Sequence, residues 1–136
     1  MEYIYSKNNQ DTILHIIHKK NDFSGRQDIV NESEFLQVAP LKLQKDQTFK
    51  PHKHVWVESE YKKKIAQESW VVISGSVEVY YYDLDNNFLK SEILIPGDCT
   101  ITLQGGHNYK SLEDNTKVYE FKTGPYLGQK LDKEFI

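Results

Sequence analysis

The sequence predicts an all-β, single-domain jelly-roll barrel. Three observations lead there. Nine Tyr and six Phe in 136 residues favour strands over helices. Alternating runs, bounded by Gly, Pro, Asn and Asp clusters, recur at roughly 8–12-residue spacing and number about ten. No stretch carries the long 3.6-residue period that a βαβ fold would need, and no internal repeat is visible.

Taken in order, Tyr3-Ile4-Tyr5 and residues 12–17 read as two strands around the turn Asn8-Asn9-Gln10-Asp11. His15 and His18 have the wrong parity for one strand face, so both are read as surface or edge residues. Residues 19–31 are polar and contain Gly25, which reads as a loop. Asn31-Glu32-Ser33-Glu34 resembles a helix N-cap followed by an acid, enough for a single turn before Pro40 intervenes. Residues 35–39 and 41–43 are expected as strand, then a turn at Lys45-Asp46-Gln47 leads into Thr48-Phe49.

Next comes Lys50-Pro51-His52-Lys53-His54. Pro51 suits the first residue of a strand or an edge strand and rules out a helix interior. On a strand, His52 and His54 would share a face about 6–7 Å apart, the placement two neighbouring metal ligands need. Residues 55–67 hold Trp56, Tyr61 and Lys62-Lys63-Lys64. They fit a solvated loop, or else a lid offering an aromatic face and positive charge to an anionic ligand.

Glu68 opens a strand through Ser74, Gly75-Ser76 turns it, and Val77 and Val79 alternate with Glu78 and Tyr80 on the return. Asp83 to Asn87 reads as a hairpin turn, because no Gly or terminal Glu falls where a calcium loop requires one. Residues 88–95 return antiparallel. Pro96-Gly97-Asp98 is a turn, residues 100–103 a strand, and Gly105-Gly106-His107 follows. Cys99, the only cysteine, is expected as a small buried hydrophobe. In the last strand, residues 117–122, Val118, Glu120 and Lys122 share one face and Tyr119 and Phe121 the other. Parity leaves open which face is inward. If the aromatics pack between sheets, Glu120 and Lys122 are solvent-exposed; if the charged pair faces the barrel, it is a candidate base and anion-holding pair. Gly124-Pro125 ends the strand, and the tail from Gln129 is polar with Phe135-Ile136 able to dock on a neighbour.

A formal net charge of −3 argues against a generic nucleic-acid surface. The N-terminus has neither a basic nor an apolar leader region, and no apolar run approaches a membrane span, so a cytoplasmic protein is expected.

His52, His54, Glu68 and His107 form a plausible metal shell. The pattern resembles the two motifs of the cupin superfamily. The first is met by His52, His54, Glu68 and Gly75, the second by Pro96, Gly97, Asp98, Gly105 and His107, across roughly residues 35–123. Residues 1–34 would then be N-terminal strands and a loop of the same domain, and 124–136 a C-terminal tail. Two departures stand out. Thirteen residues separate His54 from Glu68, where the usual motif has three or four, and the usual Pro before the last His is replaced around Leu103-Gln104. Residues 67–128 also resemble small cupins of bacterial polysaccharide and sugar-nucleotide loci, notably at Glu120, Lys122 and Gly124-Pro125-Tyr126.

The resemblance implies one divalent transition metal (Zn, Fe, Mn, Ni or Co) on His52, His54, Glu68 and His107, with each His donating its other ring N–H to a neighbour. It implies a homodimer paired through sheet edges, with the strands around Tyr3 and Ile13 as candidates. Glu120 and Lys122 become candidate catalytic residues. Three functions follow as expectations: an enzyme acting on a carbohydrate or sugar nucleotide (isomerase, epimerase or dehydratase), a non-catalytic metal-containing binding or sensor module, or an Fe(II) dioxygenase. The partner is a small molecule, such as an anionic sugar, with no nucleic acid or membrane.

Overall fold

The computed structural model describes residues 1–20, 23–55, 64–124 and 134–136. Within them are eight strands: β1 (Glu2–Tyr5), β2 (Ile13–His18), β3 (Glu68–Ser74), β4 (Val77–Tyr82), β5 (Phe88–Leu94), β6 (Cys99–Thr102), β7 (Gly106–Ser111) and β8 (Lys117–Lys122). They form two antiparallel sheets, one ordered β1-β2-β6-β3-β8 and the other β5-β4-β7. This is an all-β sandwich or barrel architecture. Among the described residues there is no helix, and so none long and apolar enough to cross a membrane.

The turns form where local chemistry asks for them. Gly75, with φ at 74°, closes the β3–β4 hairpin. Asn86, with φ at 68°, closes the β4–β5 hairpin, where Asp83 N–H donates to the Asn87 carbonyl at 2.8 Å. At the Pro96-Gly97-Asp98 turn, Asp98 accepts from the backbone N–H groups of Ile95 and Lys20, tying the turn to the end of β2.

Paired residues on neighbouring strands share a sheet face. On the inner faces, Ile4, Ile17, Val72, Val77, Val79, Tyr81 and Leu94 form one buried cluster between the sheets. A second cluster lies on the other side of the larger sheet. There Ile29 and Val30, with Leu36 and Val38 against them, cover Ile16, Cys99, Ile101 and Leu103. Cys99 is thus buried and free, as expected.

Two expectations are corrected. Residues 35–39, 41–43 and 48–54 are not strands. Residues 25–42 instead make a loose antiparallel pairing, with Ile29 N–H to Val38 O, Gln27 N–H to Pro40 O and Lys42 N–H to Gly25 O, plus one bridge between Arg26 and Leu41. Pro40 contributes no donor there. Residues 49–55 are coil and exposed throughout. Lys50, Pro51, His52, Lys53 and His54 present no alternating apolar residue to bury, and Pro51 has no N–H for a ladder.

The single turn expected after Asn31 is present: Glu34 N–H donates to the Asn31 carbonyl at 3.0 Å, and Asn31 Oδ1 accepts from Ser33 N–H at 3.0 Å. His15 and His18 are buried, not surface residues, because β2 is interior to its sheet and covered on both sides. Burial holds His15 neutral, its pKa lowered to about 4.

Candidate functional site

Strand register assembles a polar row across the larger sheet. His15 on β2 pairs with Thr102 on β6, Thr102 with Glu68 on β3, and Glu68 with Lys122 on β8. Two residues along, the next same-face row contains Ile17, Thr100, Trp70 and Glu120. On the facing sheet, β4 pairs Tyr81 with His107 and Val79 with Tyr109. The sandwich is therefore polar at this end and apolar towards Val72, Val77 and Leu94.

Four contacts bridge the sheets here. His107 Nε2 lies 3.2 Å from Glu68 Oε1. Tyr109 stacks on Trp70 with centroids 3.7 Å apart and rings parallel. Tyr81 Oη is 2.8 Å from Thr100 Oγ1. His15 Nε2 is 3.2 Å from the Tyr82 carbonyl, and its Nδ1 is 3.1 Å from Thr102 Oγ1. A carbonyl only accepts, so His15 carries its proton on Nε2 and takes the Thr102 hydroxyl hydrogen on Nδ1.

Glu68, Trp70, Thr102, His107, Tyr109, Glu120 and Lys122 line one cavity of about 640 Å3. Its wall also includes Gln104, Gly105, Gly106 and Ile136, and a Cβ on Gly106 would come within 2.6 Å of Ile136 Cδ1. Gln67 braces the site from behind. Its side chain accepts from Leu36 N–H and donates to Glu34, which fastens the covering segment next to Glu68.

Two buried polar atoms of this wall, His107 Nδ1 and Tyr109 Oη, have no hydrogen-bond partner among the described residues. Burial raises the Tyr109 pKa well above the usual phenol value, with the nearby Glu68 carboxylate adding to the effect. Tyr109 therefore stays a protonated hydroxyl at neutral pH.

The parity question on β8 is resolved in favour of the charged pair facing the cavity. Tyr119 and Phe121 are 63% and 54% exposed on the opposite face, and Glu120 accepts a hydrogen bond from Trp70 Nε1 at 3.2 Å while lining the cavity rim.

Of the four expected metal ligands, Glu68 and His107 meet. His52 and His54 lie in the exposed coil, their rings 5.5 Å apart and edge to face, with His52 Nδ1 3.0 Å from the Lys50 carbonyl. Among the described residues no group of three His, Cys, Asp or Glu side chains is placed to hold a metal ion. As placed, then, the donors do not form the expected four-ligand set. Among the described residues, none supplies His107 Nδ1 with the acceptor expected on each ligand His.

The proposed lid residues Trp56, Tyr61, Lys62 and Lys63 lie outside the described residues, as do Pro125 and Tyr126. Lys64 is described, and donates to the Gly124 carbonyl.

The sequence reading missed Trp70, Tyr109, Thr102 and His15. A signal existed for the first two. Each stands two residues after a singled-out residue on the same strand, Glu68 or His107, and so must share its face.

No family model, curated protein or solved structure matches the chain.

Proposed function

We propose that this protein binds, and as an enzyme would act on, a polar small molecule of carbohydrate type in the cavity between its sheets. The observation that carries this reading is the Glu68–His107 pair, which joins the two sheets on a cavity wall shared with the stacked Trp70 and Tyr109. A concave site combining an aromatic surface with a few convergent polar groups suits such a ligand. Hydroxyls can pair with Glu68, Glu120, Gln104 and Asn108, and a sugar's C–H face can pack on aromatic rings.

For catalysis of the isomerase, epimerase or dehydratase kind, the chain has candidates to hold or move a proton. These are the His107 imidazole, oriented by Glu68, and the Glu120 carboxylate at the rim, with Lys122 beside them to steady a developing negative charge. The cupin resemblance supports the same reading, as fold-level analogy.

A metal-assisted form has one observation in its favour. His52 and His54 already lie side by side, and Glu68 already touches His107. A divalent transition metal would supply Lewis-acid polarisation of a ligand oxygen if the two pairs came together.

The test is a titration with a panel of mono- and disaccharides, followed by calorimetry, on the parent protein and on Glu68→Gln and His107→Gln. Binding of at least one saccharide that both variants weaken supports the reading. Parent-like saccharide binding in both variants, or no saccharide binding at all, overturns it.

A further inference from the structure

We infer that Tyr109 is a displaceable cover on Trp70: a sugar ring takes its place on the indole face, and the Tyr109 hydroxyl then bonds to the sugar. This rests on the carbohydrate reading above and deepens it by naming the platform in the cavity and the residue that yields it.

The platform is fixed. Trp70 lies on β3, paired with Thr100 of β6 on one side and Glu120 of β8 on the other, and its Nε1–H donates to a Glu120 carboxylate oxygen at 3.2 Å. A flat indole held in this way on a cavity wall is a surface on which the C–H face of a sugar packs. The parallel Tyr109 ring, with its centroid 3.7 Å away, occupies one face of it.

The cover is held less completely. Tyr109 is carried by β7, which among the described strands is paired on one side only, by β4. Its ring packs against the apolar cluster between the sheets, while its Oη is buried with no hydrogen-bond partner among the described residues. The ring contacts keep Tyr109 in place and the hydroxyl opposes them. A buried hydroxyl without a partner has given up its hydrogen bonds to water for nothing, a penalty comparable in size to what an aromatic stack contributes. These opposing contributions narrow the gap between the stacked and the turned-out positions of the side chain. A ligand that gives the hydroxyl a partner and the indole another apolar surface shifts the balance by its better fit to the turned-out position. A sugar offers both, a hydroxyl that donates and accepts as Oη does, and a C–H face.

The experiment compares the parent protein with Tyr109→Phe, which keeps the ring and removes only the unpartnered hydroxyl. Urea denaturation is expected to give Tyr109→Phe a higher midpoint than the parent. Calorimetric titration with the mono- and disaccharides used above, methyl glucoside and maltose among them, is expected to give weaker binding by Tyr109→Phe, by about fivefold or more. A structural role alone would move stability and affinity together; a displaceable cover moves them in opposite directions. In the free parent protein, NMR should find the Tyr109 ring protons shifted upfield by the indole, and saturation with the bound saccharide should return them towards ordinary tyrosine positions. A Tyr109→Phe midpoint at or below the parent's, an unchanged saccharide affinity, or Tyr109 ring signals that stay upfield at saturation would each overturn the cover and leave the carbohydrate reading standing. If none of the saccharides binds the parent, the carbohydrate reading fails and this inference with it.

Discussion

Glu68 and His107 come from different sheets, 39 residues apart in sequence, and meet at 3.2 Å where the inner faces of the sandwich turn polar. Register holds Glu68 on both sides, between Thr102 and Lys122, and His107, on the edge strand β7, on one side, beside Tyr81. The pair is partly shielded, with side-chain exposures of 10% for Glu68 and 23% for His107. Removing His107 strips a largely buried carboxylate of one partner. His107→Ala should therefore cost roughly 1–3 kcal/mol, read as a lower urea midpoint at unchanged slope. Glu68→Gln, which can still accept from Nε2–H, should cost less. Equal stability of parent and His107→Ala would show that the contact contributes nothing.

The Trp70–Tyr109 stack is a second tie between the sheets. Trp70 is half-buried, so Trp70→Ala should lower stability by about 1–3 kcal/mol, through lost burial and the lost stack. Trp70→Phe should recover much of that. Chemical denaturation followed by far-UV circular dichroism reads both, and a loss below about 1 kcal/mol for Trp70→Ala would argue against the stack.

His15 should make the fold acid-sensitive. It is fully buried and its folded pKa lies near 4, against 6.5 when exposed. Above pH 6.5 both states are neutral at this residue and its contribution is constant. As pH falls below that value the unfolded chain takes up a proton that the folded chain does not, so stability falls progressively until about pH 4. The size is on the order of 3 kcal/mol. Urea midpoints measured from pH 7.5 to 4.5 should fall, and His15→Gln should flatten this slope. An unchanged slope in His15→Gln would assign the acid sensitivity elsewhere.

The sheets were largely legible from alternation and turn residues. Seven of the eight strands fall where period-two runs and Gly or Asn turns place them, with β8 parity correct to the residue. Strand β7 was seen only as far as Gly105-Gly106-His107, because Asn108, Lys110 and Ser111 give it little apolar signal. Residues 35–54 misled for the opposite reason. Val38, Leu41, Leu43 and Phe49 look strand-like, but Pro40 and Pro51 remove ladder donors, and Ile29, Val30, Leu36 and Val38 are used to cover a sheet, not to extend one. His15 and His18 were misjudged because parity within one strand does not reveal that both faces of β2 are covered. The Glu68–His107 contact was anticipated as part of a metal shell; its support from His15, Thr102, Trp70 and Tyr109 depends on cross-strand register, which one strand's sequence does not specify.

Assembly follows from the edges of the larger sheet. β1 is an edge strand, and Tyr3 and Tyr5 are 37% and 45% exposed on it, whereas Ile13 lies on interior β2 opposite Tyr5. A homodimer through β1 is the expected arrangement, since pairing removes an unpaired apolar edge. Light scattering at micromolar concentration should give twice the chain mass, and Tyr3→Lys/Tyr5→Lys should halve it. A monomeric parent would contradict this.

Metal content separates the two forms of the proposed function. Protein purified without a His tag should be assayed by elemental analysis alongside His52→Ala/His54→Ala. Near-stoichiometric transition metal that is lost in the variant would establish the metal-assisted form, with the coil at residues 49–55 carrying two ligands to Glu68 and His107. Metal unaffected by the double substitution would remove His52 and His54 from the site.

The most direct test of the central claim is a two-dimensional NMR titration of isotope-labelled protein with the tightest-binding saccharide of the panel. The Trp70 indole N–H and the backbone amides of Glu68, Gly106, His107 and Tyr109 should shift together and saturate with one dissociation constant, while the exposed Tyr119–Phe121 face stays still. Shifts confined to that outer face, or to residues 49–55, with Trp70 and His107 unmoved, would contradict a ligand site between the sheets.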